Sequence, residues 1–426
     1  MKRGCVSLIA GASLVGIVLV FCWNDWRVDW HLRAARSALK SRDLDQAFAA
    51  LEAATRVSPD SGEVLFWMAR AYRRQGKLND VHRYLQRAQQ AGISRSRIQR
   101  EEWLAMAQAG QMTDAEPHLK ELFVDPGEDG PEICEAYANG YLLSYRFAQA
   151  LAVVDAWQSD FPQDPQPHLL RGLLAEQNSN WTTAAEHFRK AFDLAPQRVD
   201  LRLRLANVLL VLRRTDEAVS HFQQLLKMVP NSAEVQTGWG RMLVVQGQSD
   251  QAREIFQQVL KTHPQDYDAT LALGQLELND NHLDEALALL QPAVAMQPDD
   301  AEVRNALAGA LQRAGRAAEA RMHFEYVAKA QEANLLIQAL RAQVMVNTKD
   351  VEARYKIAEL LRDASNQTDR LAWLRSIIEI DPRYQLAHAA LAELYAKTGN
   401  RELAATHRAM SEKLLRESTE SEKPKP

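Results

Sequence analysis

Five prolines stand 34 residues apart: Pro162, Pro196, Pro230, Pro264 and Pro298. No other feature constrains the chain as much, because a fixed period means one structural unit repeated in tandem. With these prolines set at position 32 of a unit, other columns align. Position 20 is Ala150, Ala184, Ala218, Ala252, Ala286 and Ala320, and position 8 is Ala138, Gly172, Ala206, Gly240, Gly274 and Ala308. Position 24 is large: Val154, Phe188, Phe222, Phe256, Leu290 and Phe324. Small residues let two helix axes approach, and a bulky neighbour fills the space toward the next unit. Proline at 32 stops the second helix. One such hairpin cannot bury its apolar face alone, so neighbours must stack. The composition agrees, with only 18 glycines in 426 residues and abundant alanine and leucine.

This pattern resembles the tetratricopeptide repeat: small at 8 and 20, large apolar at 24, proline at 32. The resemblance implies an all-α, right-handed superhelical solenoid. Extending the register gives about eleven hairpins. Residues 28–330 hold nine repeats, one carrying Gly62, Met68, Ala69 and Tyr72, and a weakly matched one at 96–129. Residues 351–416 hold the C-terminal repeats and a capping helix; there Arg370 replaces the small residue of position 20 and puts that hairpin's packing in doubt. From Pro298 to Thr348 is 50 residues, 16 more than one period. The surplus, residues 331–350, lacks glycine and proline and reads as an inserted or extended helix. Residues 417–426, rich in Glu, Ser, Lys and Pro, are expected to be disordered.

The N-terminus carries a different signal. Lys2 and Arg3 precede an uncharged stretch, residues 4–23, long enough as a helix to span a bilayer core of about 30 Å. Trp23, Trp26 and Trp30 come next, as an interfacial belt would. The run ends Leu19-Val20-Phe21-Cys22 without the small residues of a cleavage site, so an uncleaved signal anchor is expected. Residues 1–3 then stay in the cytoplasm and the repeats lie on the periplasmic side. The alternative is a secreted, soluble adaptor after atypical cleavage.

Sites of chemistry are scarce. There is no GxxxxGK[ST], GxGxxG, GxSxG or CxxC. Net charge of −4 and scattered basic residues argue against nucleic acid. Cys134 is the one cysteine beyond the first apolar segment. His187, His221, His323 and His407 all fall at position 23, one per hairpin, which favours packing over a metal centre. Position 2 is acidic at Glu132, Asp200, Glu234, Asp268, Glu302 and Glu352. That line reads as acids meeting helix N-termini or as a rail for a basic partner.

If the repeats curl as the resemblance implies, positions 2, 5, 9 and 12 line a concave groove. Asn139, Leu173, Asn207, Arg241, Gln275 and Asn305 are its candidate contacts, suited to an extended peptide or a helix. The carboxylate clamp of some tetratricopeptide domains is absent, since Leu203 and Gly238 occupy two of its positions. No cofactor, metal, small-molecule substrate or nucleic acid is expected. The chain reads as a membrane-anchored, non-catalytic scaffold for protein partners; a regulatory subunit of an envelope enzyme complex is the further alternative.

Overall fold

The large residue at position 24 and the small one at position 8 set how closely two helices lie. In the computed structural model, a Cβ added at Gly172 would fall 2.4 Å from the ring of Phe188, and one at Gly240 would fall 2.4 Å from that of Phe256. Position 24 also reaches the next hairpin, where a Cβ on Gly238 would meet the Phe222 ring at 2.6 Å. Phe188, Phe222, Phe256 and Leu290 are fully buried as a result. Each contributes about 2–3 kcal/mol relative to an exposed side chain.

The structure describes residues 23–124, 126, 129–362 and 367–421. Among these the secondary structure is helical throughout. The chain divides into two units, residues 1–153 and 154–426, and each is an all-α helical repeat. The expected anchor lies almost wholly outside the described residues. Among the described residues, no helix is long and apolar enough to cross a membrane.

In the second unit the hairpins run Gln166–Gln177 with Trp181–Leu194, Val199–Val211 with Thr215–Met228, Ala233–Val245 with Ser249–Thr262, and Tyr267–Asn279 with Leu283–Met296. Each packs on its own mate and then on the next hairpin. The second helices stop two residues before Pro196, Pro230, Pro264 and Pro298. The carbonyls of Pro196, Pro230 and Pro298 accept from position 4 of the next unit. Arg202 Nη2 donates to Pro196 O at 3.0 Å and Gln236 Nε2 to Pro230 O at 2.7 Å. Arg304 Nε donates to Pro298 O at 2.5 Å. A backbone carbonyl in the link between two hairpins thereby gains a donor from the second of them.

The surplus residues form no separate element. Ala317–Val346 is one continuous helix of 30 residues. Its first half buries Ala320 and Val327, and its second half buries Ile337, Leu340 and Val344. The Val351–Leu360 helix packs on it as the first member of the next hairpin. That hairpin arrives sixteen residues late, with two consequences. Phe324, expected in the core with its column, is 36% exposed. Asn305, at a position buried in earlier hairpins, is exposed too.

Two further expectations are corrected. Val351–Leu360 does pair with Thr368–Ile380 despite Arg370, which is fully buried, its guanidinium 3.5 Å from Glu359 and 3.8 Å from Glu393. The carboxylates compensate the charge that alanine would have spared. The final helix, Arg401–Ser421, takes in the first five residues of the tail expected to be disordered, and residues 422–426 of that tail lie outside the described residues. Glu417 pairs there with Arg383 at 2.5 Å and Lys413 at 3.9 Å.

The first unit starts with a helix over residues 23–41, then Leu44–Val57, Gly62–Arg74 and Leu78–Gln90. Arg95–Gln108 lacks a regular mate. Pro117 splits the segment after it into Met112–Ala115, a 3-10 turn Glu116–His118 and Leu119–Val124. Arg95–Gln108 packs instead on Gly130–Leu143. A Cβ at Gly140 would lie 2.2 Å from the Ala107 carbonyl oxygen. Gly140→Ala must therefore separate two backbones and lower stability by at least the 1–3 kcal/mol typical of overpacking. Gly309→Ala, whose Cβ would meet only Leu278 at 3.5 Å, is expected to raise stability by about 0.5–1 kcal/mol. Urea unfolding of the two variants checks both signs.

Candidate protein-binding face

From Val199–Val211 to Ala301–Arg313, first helices of successive hairpins in the second unit touch one another, so their side chains form a continuous row. Position 5 faces inward: Leu169, Leu203, Thr237 and Leu271 are buried and belong to the core rather than to a groove. Position 9 stays accessible. Leu173, Asn207 and Gln275 are half-buried and Arg241 is exposed. Asn305 is exposed on the next first helix, and Asn139, half-buried, belongs to the first unit.

Position 9 of one hairpin meets position 2 of the next. Arg241 Nη2 donates to Asp268 Oδ1 at 2.9 Å, and Gln275 Nε2 to Glu302 Oε1 at 2.8 Å. The Asn207 amide oxygen lies where a Cβ on Gly238 would come within 3.3 Å, so glycine leaves room for it. The acidic column thus does more than meet helix dipoles, because two of its members bridge hairpins. These exposed pairs are each worth about 0–1 kcal/mol and open readily. Beside the polar row, Val211 and Val245 are exposed and Leu210, Val244 and Leu278 are half-buried. The face is therefore amphipathic, with carboxylates, amides and one guanidinium along an apolar edge.

In the first unit the corresponding helices carry an ion network. Arg70 binds Glu101 at 3.1 Å and both oxygens of Asp129 at 2.9 Å. Arg73 joins Glu101 at 2.5 Å, Glu132 at 2.6 Å and Gln108 at 3.1 Å. Arg74 reaches Glu132 at 2.7 Å. Burial opposes ionisation of Glu132, but Arg70, Arg74 and Arg73 outweigh it and hold this carboxyl far below the usual range. The arginines and acids satisfy one another, so the cluster reads as a strut between the Gly62–Arg74, Arg95–Gln108 and Gly130–Leu143 helices. Glu132→Gln leaves the buried guanidinium groups short of a carboxylate and is expected to cost about 3–5 kcal/mol, measured by denaturant unfolding.

Three of the position-23 histidines face position 4 of their own hairpin. His187 Nδ1 lies 3.4 Å from His168 Nδ1, His407 Nδ1 2.9 Å from His388 Nδ1, and His323 Nδ1 3.4 Å from Arg304. His221 packs edge-on against Phe192. Contacts of this kind, one of them with an arginine, suit packing better than a cation. A different trio, Glu277, Asp280 and His282, brings ligand-type atoms within 4.8 Å of one another. The guanidinium of Arg253 already occupies it, bonding Glu277 at 2.8 Å and also Asp280.

Burial, then neighbouring imidazoles or arginines, holds His187, His221, His323 and His407 below the ordinary histidine range. The unfolded chain then takes up protons first, near pH 6.5. The stability of the second unit is full above that pH and falls as acidification proceeds toward the folded values. The urea midpoint is expected to drop between pH 7.5 and 5.5, and the drop to shrink when the four are replaced by glutamine.

Two family models match the chain, both described as tetratricopeptide repeat: one over residues 38–99, 175–238 and 243–310, the other over 138–199. No curated protein matches. Among solved structures, a tetratricopeptide repeat protein from Parabacteroides merdae is 18% identical, over 67% of this chain and 99% of that one, with a TM-score of 0.37. The human IFIT1 dimer with m7Gppp-AAAA is 15% identical over 83% and 90%, at a TM-score of 0.44. Yeast Tom70 is 15% identical over 92% of each chain, at 0.34. Because the two models together cover more than half of its residues, the chain belongs to the tetratricopeptide repeat family.

Proposed function

We propose that this chain is a membrane-anchored, non-catalytic scaffold. It binds an extended peptide or a helix of a protein partner along the first-helix face of its second unit. The observation that carries the reading is the accessible row at Asn207, Arg241 and Gln275, continuous from hairpin to hairpin, preceded by the half-buried Leu173 and bordered by Val211 and Val245. Amides and carboxylates can pair with a partner's backbone and basic side chains, while the valines offer apolar contact. The row is held by weak surface pairs, which a partner displaces at little cost. Nucleic acid and small-molecule substrates are not part of the reading.

The anchor rests on the apolar residues 4–22 and on the three tryptophans after them. Trp23, Trp26 and Trp30 are 57–60% exposed at the start of the helix over residues 23–41, and the first two rings stack at 5.3 Å. Exposed tryptophans at spacings of three and four suit a membrane–water boundary. With Lys2 and Arg3 on the cytoplasmic side, the repeats face the periplasm or an equivalent space.

Asn207→Ala combined with Arg241→Ala is expected to weaken capture of the partner at least tenfold, about 1.4 kcal/mol, with helicity unchanged. Gln257→Ala, exposed on a second helix, is expected to leave capture intact. Full capture by the double variant contradicts the placement of the face. Fractionation checks the anchor: the full chain should remain with membranes after an alkaline wash, and an intact Met1 end in the soluble fraction would rule the anchor out.

A further inference from the structure

The helix over residues 23–41, which opens the first unit, turns one side away from the core. Its inner side is Leu32, Ala35, Ala38 and Leu39, all buried. On a helical wheel with about 100° per residue, Trp23, Trp26, Trp30, Arg33 and Ser37 share the opposite side, within an arc of about 80°. All five are exposed. Arg27 and Lys40, exposed as well, lie just to either side of them. The carboxylate nearest the stripe on the wheel, Asp29, pairs with Arg33. Three tryptophans at one end of this side are therefore followed by cations along it, and no leucine, isoleucine or valine of the helix is exposed there.

That composition suits a lipid surface better than a second helix. A helical partner asks for aliphatic side chains that interdigitate. A bilayer surface takes tryptophan, whose ring is apolar and whose Nε1–H stays wet, beside arginine and lysine that reach headgroup phosphates. Place in the chain points the same way, because the apolar residues 4–22 end next to Trp23. Length then decides how the helix lies. Headgroups add about 5–7 Å to each side of the hydrocarbon core. From Trp23 the helix rises about 10 Å to Trp30 and about 20 Å to Ser37. Standing upright on the anchor, it would lift Trp30 out of the headgroup layer and Arg33, Ser37 and Lys40 further still. Lying along the surface, it keeps all three rings and the cations at one depth.

We propose that the helix over residues 23–41 lies along the bilayer surface, with Trp23, Trp26 and Trp30 sunk among phospholipid headgroups and Arg27, Arg33 and Lys40 on their phosphates. The inference rests on the anchor reading and extends it. The first unit then lies against the membrane instead of standing off on a stalk.

The test uses the full chain, with Cys5, Cys22 and Cys134 replaced by serine, in vesicles of phosphatidylethanolamine and phosphatidylglycerol that carry a quencher on a fraction of their headgroups. A fluorophore on Ser37→Cys is expected to lose most of its emission. One on Gln89→Cys, exposed on the second helix of the next hairpin, is expected to keep it. Trp26→Gln with Trp30→Gln should restore the emission at position 37 with helical circular dichroism unchanged. The same vesicles are then washed at alkaline pH. A chain that stays with the lipid while its label at position 37 is bright keeps its anchor and overturns this inference. Quenching that survives both glutamines, or equal quenching at positions 37 and 89, overturns it too. A chain quenched at position 37 but released by the wash supports the surface contact and rules out the anchor. A protein as the stripe's occupant would appear as the first of these results, since the vesicles hold the purified chain alone.

Discussion

The contact between a large side chain at position 24, a small residue at position 8 and the next hairpin along the chain is what the repeats depend on. Phe188, Phe222, Phe256 and Leu290 have no other place to go. Each closes its own hairpin and serves as the seat for the next. A helix pair with one apolar stripe is marginal alone, so the energy that orders one hairpin is inseparable from the energy that docks its neighbour. Stability in such an array is a sum of nearest-neighbour terms. The carbonyls of Pro196, Pro230 and Pro298, each held by position 4 of the next unit, add a polar tie at three junctions.

The long helix shows what happens when that seat is left empty. Ala317–Val346 keeps the packing of its first half with its own mate and gives its second half to the next hairpin. The result is exposure of Phe324 and Asn305, two residues whose counterparts are buried. A run of good helix formers without glycine or proline favours the continuous helix over a turn at the usual place. An array of otherwise interchangeable hairpins thus gains one surface unlike the rest.

Much of this was legible in the residues. Columns 8, 20, 24 and 32 stand out because each is a constraint on size or on backbone donors and recurs in hairpin after hairpin. Other columns hide because their requirement is not tied to one residue type. The turn inside each hairpin needs a left-handed residue, yet Ser179, Arg213 and Asn281 fill it as well as Gly247 and Gly315. Position 4 needs a donor, and arginine, glutamine and histidine all serve. Arg370 looked like a packing fault because the carboxylates that compensate it come from Glu359 and Glu393, outside its own column. The arginine network of the first unit joins residues up to 59 apart, beyond any local pattern. Of the residues expected to contact a partner, Asn207, Arg241 and Gln275 lie on one accessible row, whereas the neighbouring leucines of position 5 are core.

The central claim is that the accessible row of first helices receives a polypeptide. Photo-crosslinking in native membranes tests it most directly, with a photoreactive amino acid at position 207 in one variant and at position 257 in another. The account predicts a discrete protein adduct from 207, lost when excess soluble second unit competes, and none from 257. No adduct at 207, or equal adducts from both positions, would contradict it.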